Sequence, residues 1–91
     1  MVVIILESVP TSVKGELSRW LLEPFPGVFV GQVTAMVRDQ LWKKCCQKCK
    51  EGGVVQIWST NTEQRFKMRM WGRTRRAIVD REGLQMIVKP P

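Results

Sequence analysis

Three cysteines, Cys45, Cys46 and Cys49, form a C-C-x-x-C pattern and are the first candidates for chemistry in this sequence. A zinc site needs four ligands, and a chain without histidine leaves these thiolates one short. Val37, Leu41, Cys45 and Cys49 are spaced four residues apart, which is the spacing of one helix face. We therefore interpret the cysteines as small core side chains, with metal binding as the less favoured alternative. An odd number of free thiols is typical of a reducing cytosol.

The absence of histidine and tyrosine removes several classes of enzyme. Ser-His and Cys-His nucleophile pairs are excluded, as is a tyrosine that attacks DNA, so catalysis would rest on carboxylates with a metal, or on Lys and Ser. Glu7 is the candidate, because it follows a buried strand. Two copies of Glu7 in a homodimer could hold Mg²⁺ together with water. The alternative is that Glu7 only caps a loop or pairs with a lysine.

The charge of the chain is strongly positive and unevenly distributed. Fifteen Lys and Arg residues against eight Asp and Glu residues give a net charge of +7. Residues 1–34 carry a net charge of −1 and residues 35–91 a net charge of +8, and seven basic residues with one acidic residue lie between Arg65 and Arg81. A clustered excess of this kind indicates a polyanionic partner, nucleic acid above all. The alternative is a basic surface that serves solubility.

Arg73, Arg75 and Arg76 lie in a predicted basic loop and are typical of residues that bind phosphate. The sequence has no zinc finger, no aromatic RNA-binding motif and no glycine-rich phosphate loop, so we expect backbone-directed binding that tolerates any sequence. Trp71 is the one tryptophan we consider for contact with nucleic acid, although burial in a core or interface is the favoured alternative.

Hydrophobic periodicity predicts five strands and two helices in a single domain of residues 1–91. The expected strands cover residues 2–6, 27–31, 54–60, 65–71 and 84–88, and the expected helices cover residues 13–23 and 34–51. In the strand of residues 65–71, apolar side chains alternate with Arg65, Lys67 and Arg69, which predicts one buried and one largely cationic face. The order of elements predicts an α+β, ferredoxin-like sandwich with one antiparallel or mixed sheet and two helices on one face. Its free edge and last strand favour a homodimer.

The sequence resembles the small CRISPR-associated adaptation protein family (Cas two), in its type I-E branch. The resemblance runs along nearly the whole chain. It rests on an apolar first strand ending in Glu7-Ser8-Val9-Pro10, then Trp20-Leu21-Leu22-Glu23, Gly27-Val28-Phe29-Val30-Gly31, Ala35, Arg38, Trp42, Thr60-Asn61-Thr62-Glu63, Gly72, Arg75-Arg76, Asp80 and Gly83-Leu84.

The resemblance implies a homodimer that sits between two dimers of an integrase subunit, in a complex that inserts foreign double-stranded DNA into a CRISPR array. In this role the small subunit is a scaffold that holds the DNA backbone. The resemblance gives DNA contacts to Arg75, Arg76 and Lys14, and docking of the integrase to residues 84–91. It gives Glu7 a magnesium-dependent endonuclease activity known in some members, which is the alternative function.

The sequence departs from the family at several DNA-contacting positions. Residues Ser12, Glu16, Phe25 and Met36 replace basic residues, and Arg65 stands where glycine is usual. We hypothesise that Arg65, Lys67 and Arg69 compensate by binding DNA from their strand. Among functions, the DNA-binding scaffold ranks first, a nuclease using Glu7 second, and a generic RNA- or ribosome-binding domain third. No signal peptide or membrane segment is expected, so a cytoplasmic location is predicted.

Overall fold

A computed structural model of the chain describes residues 1–49, 52–72, 77–81 and 83–88, with the backbone alone for 77–81. These residues form β1 (Val2–Leu6), α1 (Thr11–Ser18), β2 (Leu22–Phe25), β3 (Val28–Gly31), α2 (Ala35–Lys48), β4 (Gly53–Ser59), β5 (Phe66–Gly72), β6 (Ala77–Arg81) and β7 (Leu84–Val88). Within the described residues, neither helix is both long and apolar enough to cross a membrane.

Five strands form one sheet in the order β2-β3-β1-β4-β5, and β6 pairs with β7 in a separate two-stranded sheet. This order is that of a ferredoxin-like fold with one strand added beside β4, so the predicted α+β architecture is confirmed. All strand pairs within the described ranges are antiparallel. Of the two predicted forms of the sheet, antiparallel or mixed, the structure has the antiparallel one, because each helix connects two strands that are separated by a third strand of opposite direction.

Both helices pack on one face of the five-stranded sheet, and the main core lies between them. Every second residue of β1 is buried there, since side chains alternate between the two faces of a strand. The buried core consists of Val2, Ile4, Leu6, Val13, Leu17, Leu21, Phe29, Leu41, Cys45, Cys49 and Val54. Cys45 and Cys49 belong to it, so the predicted core-facing stripe of α2 is confirmed. Burial raises the pKa of the Cys45 thiol to about 12, which keeps it protonated and unreactive.

The second face of the sheet is apolar as well. The alternation that buries Ile4 and Phe29 under the helices turns their strand neighbours to the opposite side. These half-buried side chains are Val3, Ile5, Val28, Val30, Val55, Ile57 and Met70. We call them the apolar sheet face.

Strand β2 was not expected from the sequence. Pro24 lies inside it, and proline cannot donate a hydrogen bond to a neighbouring strand. The structure accommodates Pro24 because β2 is the outermost strand of the sheet, where one edge needs no partner. Residues 24–27, between the predicted helix of residues 13–23 and the predicted strand of residues 27–31, are therefore the end of a strand and a turn, and Gly27 adopts a positive φ of 82° in that turn.

The helix boundaries differ from the prediction at three ends. Helix α1 begins at Thr11 after Pro10, with no side-chain cap, and it ends at Ser18 instead of residue 23. Trp20, which the predicted helix of residues 13–23 would turn toward the core, therefore lies beyond the helix and is 50% exposed, so that prediction is wrong at this end. Thr34, the predicted first residue of α2, caps the helix by accepting a hydrogen bond from the Val37 amide, and the helix ends at Lys48 instead of residue 51.

The β6–β7 hairpin contacts the outer edge of β5 through two glutamine side chains. The Gln85 amide group bonds the backbone N–H and C=O of Met68, at 2.6 and 3.0 Å. The Gln64 amide group bonds the backbone of Gln85 in the same way, at 2.7 and 2.6 Å. Strand β7 matches the predicted last strand, whereas β6 was not predicted.

Candidate nucleic-acid interface

Two predicted site residues, Glu7 and Lys14, lie near the end of the sheet where β1 finishes, which we call the β1 end. Glu7 follows β1 there, and its backbone N–H donates to the Gly53 carbonyl at 3.1 Å. Gly72, which closes β5, pairs with Gly53. A side chain at Gly72 would place its Cβ 2.5 Å from the Gly52 carbonyl oxygen, so glycine is required for this close approach.

Lys14 lies at the β1 end, in the first half of α1. Its ammonium group pairs with Glu23 at 3.1 Å, and its side chain is 56% exposed. Glu23 also accepts a hydrogen bond from the Gly27 backbone at 3.1 Å. The hydrogen bond from the Gly27 backbone lowers the pKa of Glu23 most, and the hydrogen bond from Lys14 lowers it further. Lys14 is thus fixed beside the turn that precedes β3, with its charge open to solvent.

Glu7 is exposed and makes no side-chain hydrogen bond or ion pair within the described residues. The described part of the chain also has no group of three or more His, Cys, Asp or Glu side chains that could hold a metal ion. A hard cation such as Mg²⁺ is bound by several oxygen ligands, and one carboxylate does not form such a site. Glu7 is thus the one candidate ligand at this position in the described part of a single copy, and the proposed magnesium site draws Glu7 from two copies.

Arg73, Arg75 and Arg76 lie outside the described residues. The chain enters this segment directly after Gly72, the last residue of β5 at the β1 end. Trp71, which precedes Gly72, is 52% exposed and so is not buried within one copy of the chain.

Arg65 lies at the opposite end of the sheet, in the turn between β4 and β5. Its backbone bonds Thr60 and Thr62. Strand β5 has seven residues, so Arg65 is separated from Gly72 by roughly 20 Å at about 3.3 Å per residue. Arg65 therefore does not belong to the β1 end, where it would have to lie to compensate for Ser12 and Glu16.

Arg65 also has a positive φ of 71°, the only such non-glycine residue among those described. This left-handed conformation explains physically why glycine suits the position. It costs an L-residue about 1–2 kcal/mol, and glycine avoids that cost but loses about 0.5–1 kcal/mol in conformational entropy. We expect Arg65→Gly to raise the free energy of unfolding by about 0.5 kcal/mol in urea denaturation. Arg65→Ala should give no gain, and a glycine variant no more stable than the alanine variant would contradict this explanation.

Arg69 lies in a cluster that fastens α2 to the sheet, formed by Arg38, Asp39, Trp42, Gln56, Trp58 and Arg69, which we call the arginine–tryptophan cluster. The Arg69 guanidinium donates to Gln56 Oε1 at 2.7 Å and to Asp39 Oδ1 at 2.8 Å. It also lies 4.8 Å from the centre of the Trp42 ring and 4.9 Å from that of Trp58.

These contacts make the arginine–tryptophan cluster a structural element. Gln56 is fully buried, and its amide nitrogen donates to the Arg38 carbonyl at 3.0 Å. The Arg69 hydrogen bond lowers the pKa of Asp39, and Arg38 acts in the same direction. Contrary to the prediction of a largely cationic strand face, Arg69 pairs its charge with Asp39 and donates hydrogen bonds to Gln56 and Asp39 within the fold. We therefore assign Arg69 to the fold and leave it out of the DNA surface proposed below.

Sequence reasoning missed a second group of charges, on the helix layer. Lys44 pairs with Glu16 of α1 at 2.5 Å, and Arg19 and Lys48 lie close enough to lower the pKa of Glu16 further, after the larger effect of Lys44. Lys44 and Lys48 are four residues apart, which places them on one face of α2. That spacing was visible in the sequence, but their proximity to Glu16 is a tertiary contact.

A family model described as CRISPR-associated protein (Cas_Cas2CT1978) matches residues 1–86. The chain belongs to this family. A CRISPR-associated role follows for the protein, and the match covers α1, α2 and β1 to β6 completely. In this CRISPR-associated protein, Glu7 and Lys14 lie together at the β1 end, whereas Arg65 lies at the opposite end and Arg69 in the arginine–tryptophan cluster.

Proposed function

We propose that this CRISPR-associated protein is the DNA-binding scaffold of a spacer-acquisition complex. Two copies hold a short DNA duplex by its phosphates, and a separate integrase subunit joins the DNA to the CRISPR array. The observation that carries the proposal is the concentration of positive charge in the sequence: residues 35–91 have a net charge of +8, and Arg73, Arg75 and Arg76 come shortly after Gly72 in the sequence. Clustered basic residues bind the phosphates of DNA whatever its base sequence.

The apolar sheet face supports the proposed homodimer. Its side chains come from β1, β3, β4 and β5, while both helices pack on the other side of the sheet. A second copy offers the same apolar surface, and two-fold symmetric dimers pair a surface with itself. Burial of this face would free about 25 cal/mol for each Å² of apolar surface removed from water.

Strand β7 supports a docking site for the integrase subunit, two dimers of which would flank the homodimer. Its side chains are apolar and 39–51% exposed at Leu84, Met86, Ile87 and Val88. An exposed apolar strand at the edge of a fold is typical of a protein-binding surface. Residues 89–91 of the proposed docking tail lie outside the described residues. The free cysteines are consistent with a reducing cytoplasm as the place of action.

The alternative function is an endonuclease in which Glu7 of both copies holds Mg²⁺. The metal would supply a Lewis acid and an activated water molecule. Glu7→Gln separates the two functions because it removes the charge and keeps the shape of the side chain. We expect the variant to bind duplex within about twofold of the native protein, since Glu7 makes no phosphate contact in the scaffold account.

The measurement is insertion of a labelled duplex into a CRISPR array by the native or variant protein mixed with the integrase subunit. The same preparations are assayed for magnesium-dependent cleavage of DNA and RNA. Unchanged insertion supports the scaffold. Loss of both insertion and a measurable cleavage activity would support the nuclease instead. A generic RNA-binding domain would form no stable complex with the integrase subunit in a pull-down.

A further inference from the structure

We infer that Lys44 and Lys48 of α2 form a second part of the duplex-binding surface and supply phosphate contacts that α1 does not provide. The inference rests on the proposed function. It starts from two positions around Lys14 that are not basic in this chain, Ser12 and Glu16.

The direction of α2 places Lys48 near the β1 end. The helix starts after Gly31, which pairs with Val2 at the start of β1. It runs back along the sheet and ends shortly before Gly52, where an added Cβ would lie 3.1 Å from the Cβ of Glu7. Lys48, in the last turn of α2, is therefore on the same side of the molecule as Lys14, in the first half of α1.

The charges around Glu16 favour a polyanion as the partner. Three cations, Arg19, Lys44 and Lys48, surround this one carboxylate and lower its pKa. The group is therefore net positive although α1 has an acidic residue here. From Gln40 onward, the exposed side chains of α2 are lysines and glutamines, namely Gln40, Lys43, Lys44, Gln47 and Lys48, and the exposed apolar Met36 lies in the first turn, at the other end of the helix from Lys48. Lysine and glutamine both donate hydrogen bonds to phosphate oxygens, so this half of α2 suits a polyanion better than an apolar protein surface.

Arg65 and Lys67 cannot take this role, and that makes them suitable controls. Both are exposed, and they lie at the far end of β5 from Gly72. The double substitution Arg65→Gln with Lys67→Gln removes two positive charges there. Lys44→Gln with Lys48→Gln removes the same charge from the α2 surface, and glutamine has nearly the helix propensity of lysine.

The test is the affinity of each purified protein for a short DNA duplex, measured by fluorescence anisotropy over a range of salt concentrations. We expect Lys44→Gln/Lys48→Gln to weaken binding ~10-fold or more at 0.1 M salt. It should also lower the slope of log K against log salt by about 3–4 for a dimer. The Arg65→Gln/Lys67→Gln control should stay within about threefold of the native protein.

A substitution of opposite effect strengthens the test. Glu16→Gln removes the carboxylate that pairs with Lys44, so we expect duplex affinity to rise roughly threefold. Glu63→Gln removes the same charge from the exposed β4–β5 turn at the far end and should leave the affinity unchanged. Thermal unfolding monitored by circular dichroism checks that all variants fold.

Three results would overturn the inference. The first is equal affinity of the two double variants, and the second is a Glu16→Gln affinity no higher than that of Glu63→Gln. The third is a Lys44→Gln/Lys48→Gln variant that binds duplex as the native protein does but no longer binds the integrase subunit, which would make the α2 surface a site for an acidic protein. Failure of the native protein to bind duplex at low salt is a different result, because it removes the proposed function itself.

Discussion

Replacement of Arg69 by alanine should lower the free energy of unfolding by about 3 kcal/mol. The variant leaves Gln56 Oε1 buried without a donor, which costs about 1–3 kcal/mol. It also removes a cation from between Trp42 and Trp58, where each contact contributes about 0.5–1 kcal/mol. Urea denaturation followed by tryptophan fluorescence measures the change.

Two further variants test the cause of this loss. Arg69→Lys keeps the charge but lacks the planar guanidinium that donates to Gln56 and Asp39 at the same time. It should therefore recover less than half of the free energy of unfolding that Arg69→Ala loses. In a double-mutant cycle, Gln56→Leu should cost less in the Arg69→Ala background than in the native protein. A loss below about 0.5 kcal/mol for Arg69→Ala would contradict the structural role, since a solvent-facing arginine on a strand contributes about that much or less.

The pH dependence of stability provides a check on the same cluster. Arg69 and Arg38 lower the pKa of Asp39 in the folded protein, so ionised Asp39 adds to the free energy of unfolding at a pH above the pKa of an unfolded aspartate. This contribution is lost as the pH falls through the lowered pKa of the folded protein. Arg69→Ala should therefore make the free energy of unfolding fall less in acid, and Asp39→Asn should remove the pH dependence that Asp39 causes.

Replacement of both Arg75 and Arg76 by alanine should weaken duplex binding about 100-fold at 0.1 M salt. A homodimer would lose four phosphate contacts, and each contact releases counterions on binding, so the salt slope should fall by roughly 3–4. The measurement is fluorescence anisotropy with several duplexes of unrelated sequence. The affinity for all of them should fall equally, because the phosphate backbone is the same in every sequence. The Arg75→Lys/Arg76→Lys variant keeps the charge and should retain most of the salt slope.

Unchanged affinity of the Arg75→Ala/Arg76→Ala variant would contradict the proposed DNA surface. The folded state of that variant can be checked by its urea transition, which should match that of the native protein. A loss confined to one duplex sequence would also be inconsistent with backbone binding, since it would require contacts with the bases.

Much of the fold was predictable because local periodicity decides it. The spacing of Leu41, Cys45 and Cys49 predicted the buried stripe of α2, and the alternation along β5 predicted a strand. Strand β2 was missed because it is four residues long and contains Pro24, which local rules treat as a break. Trp20 was misplaced because its apolar character suggested one more helical turn, whereas α1 ends before it.

The candidate site was less predictable because its contacts join distant parts of the sequence. Glu7 follows β1 directly and Lys14 lies in the first half of the helix that comes next, so their location at the same end of the sheet could be inferred. The contacts of Arg69 within the fold could not be predicted, because its carboxylate partner Asp39 is 30 residues away on another element. The same limit applies to Lys44 and Glu16, which are 28 residues apart.

The most direct test of the scaffold account is the mass and salt dependence of the complex between the purified protein and a short duplex. Light scattering coupled to size exclusion gives the number of chains per duplex, and anisotropy from roughly 50 to about 300 mM salt gives the slope. We predict two chains per duplex, a steep negative slope and equal affinity for unrelated sequences. A protein that stays monomeric, or that fails to bind duplex at the lowest salt, would contradict the account.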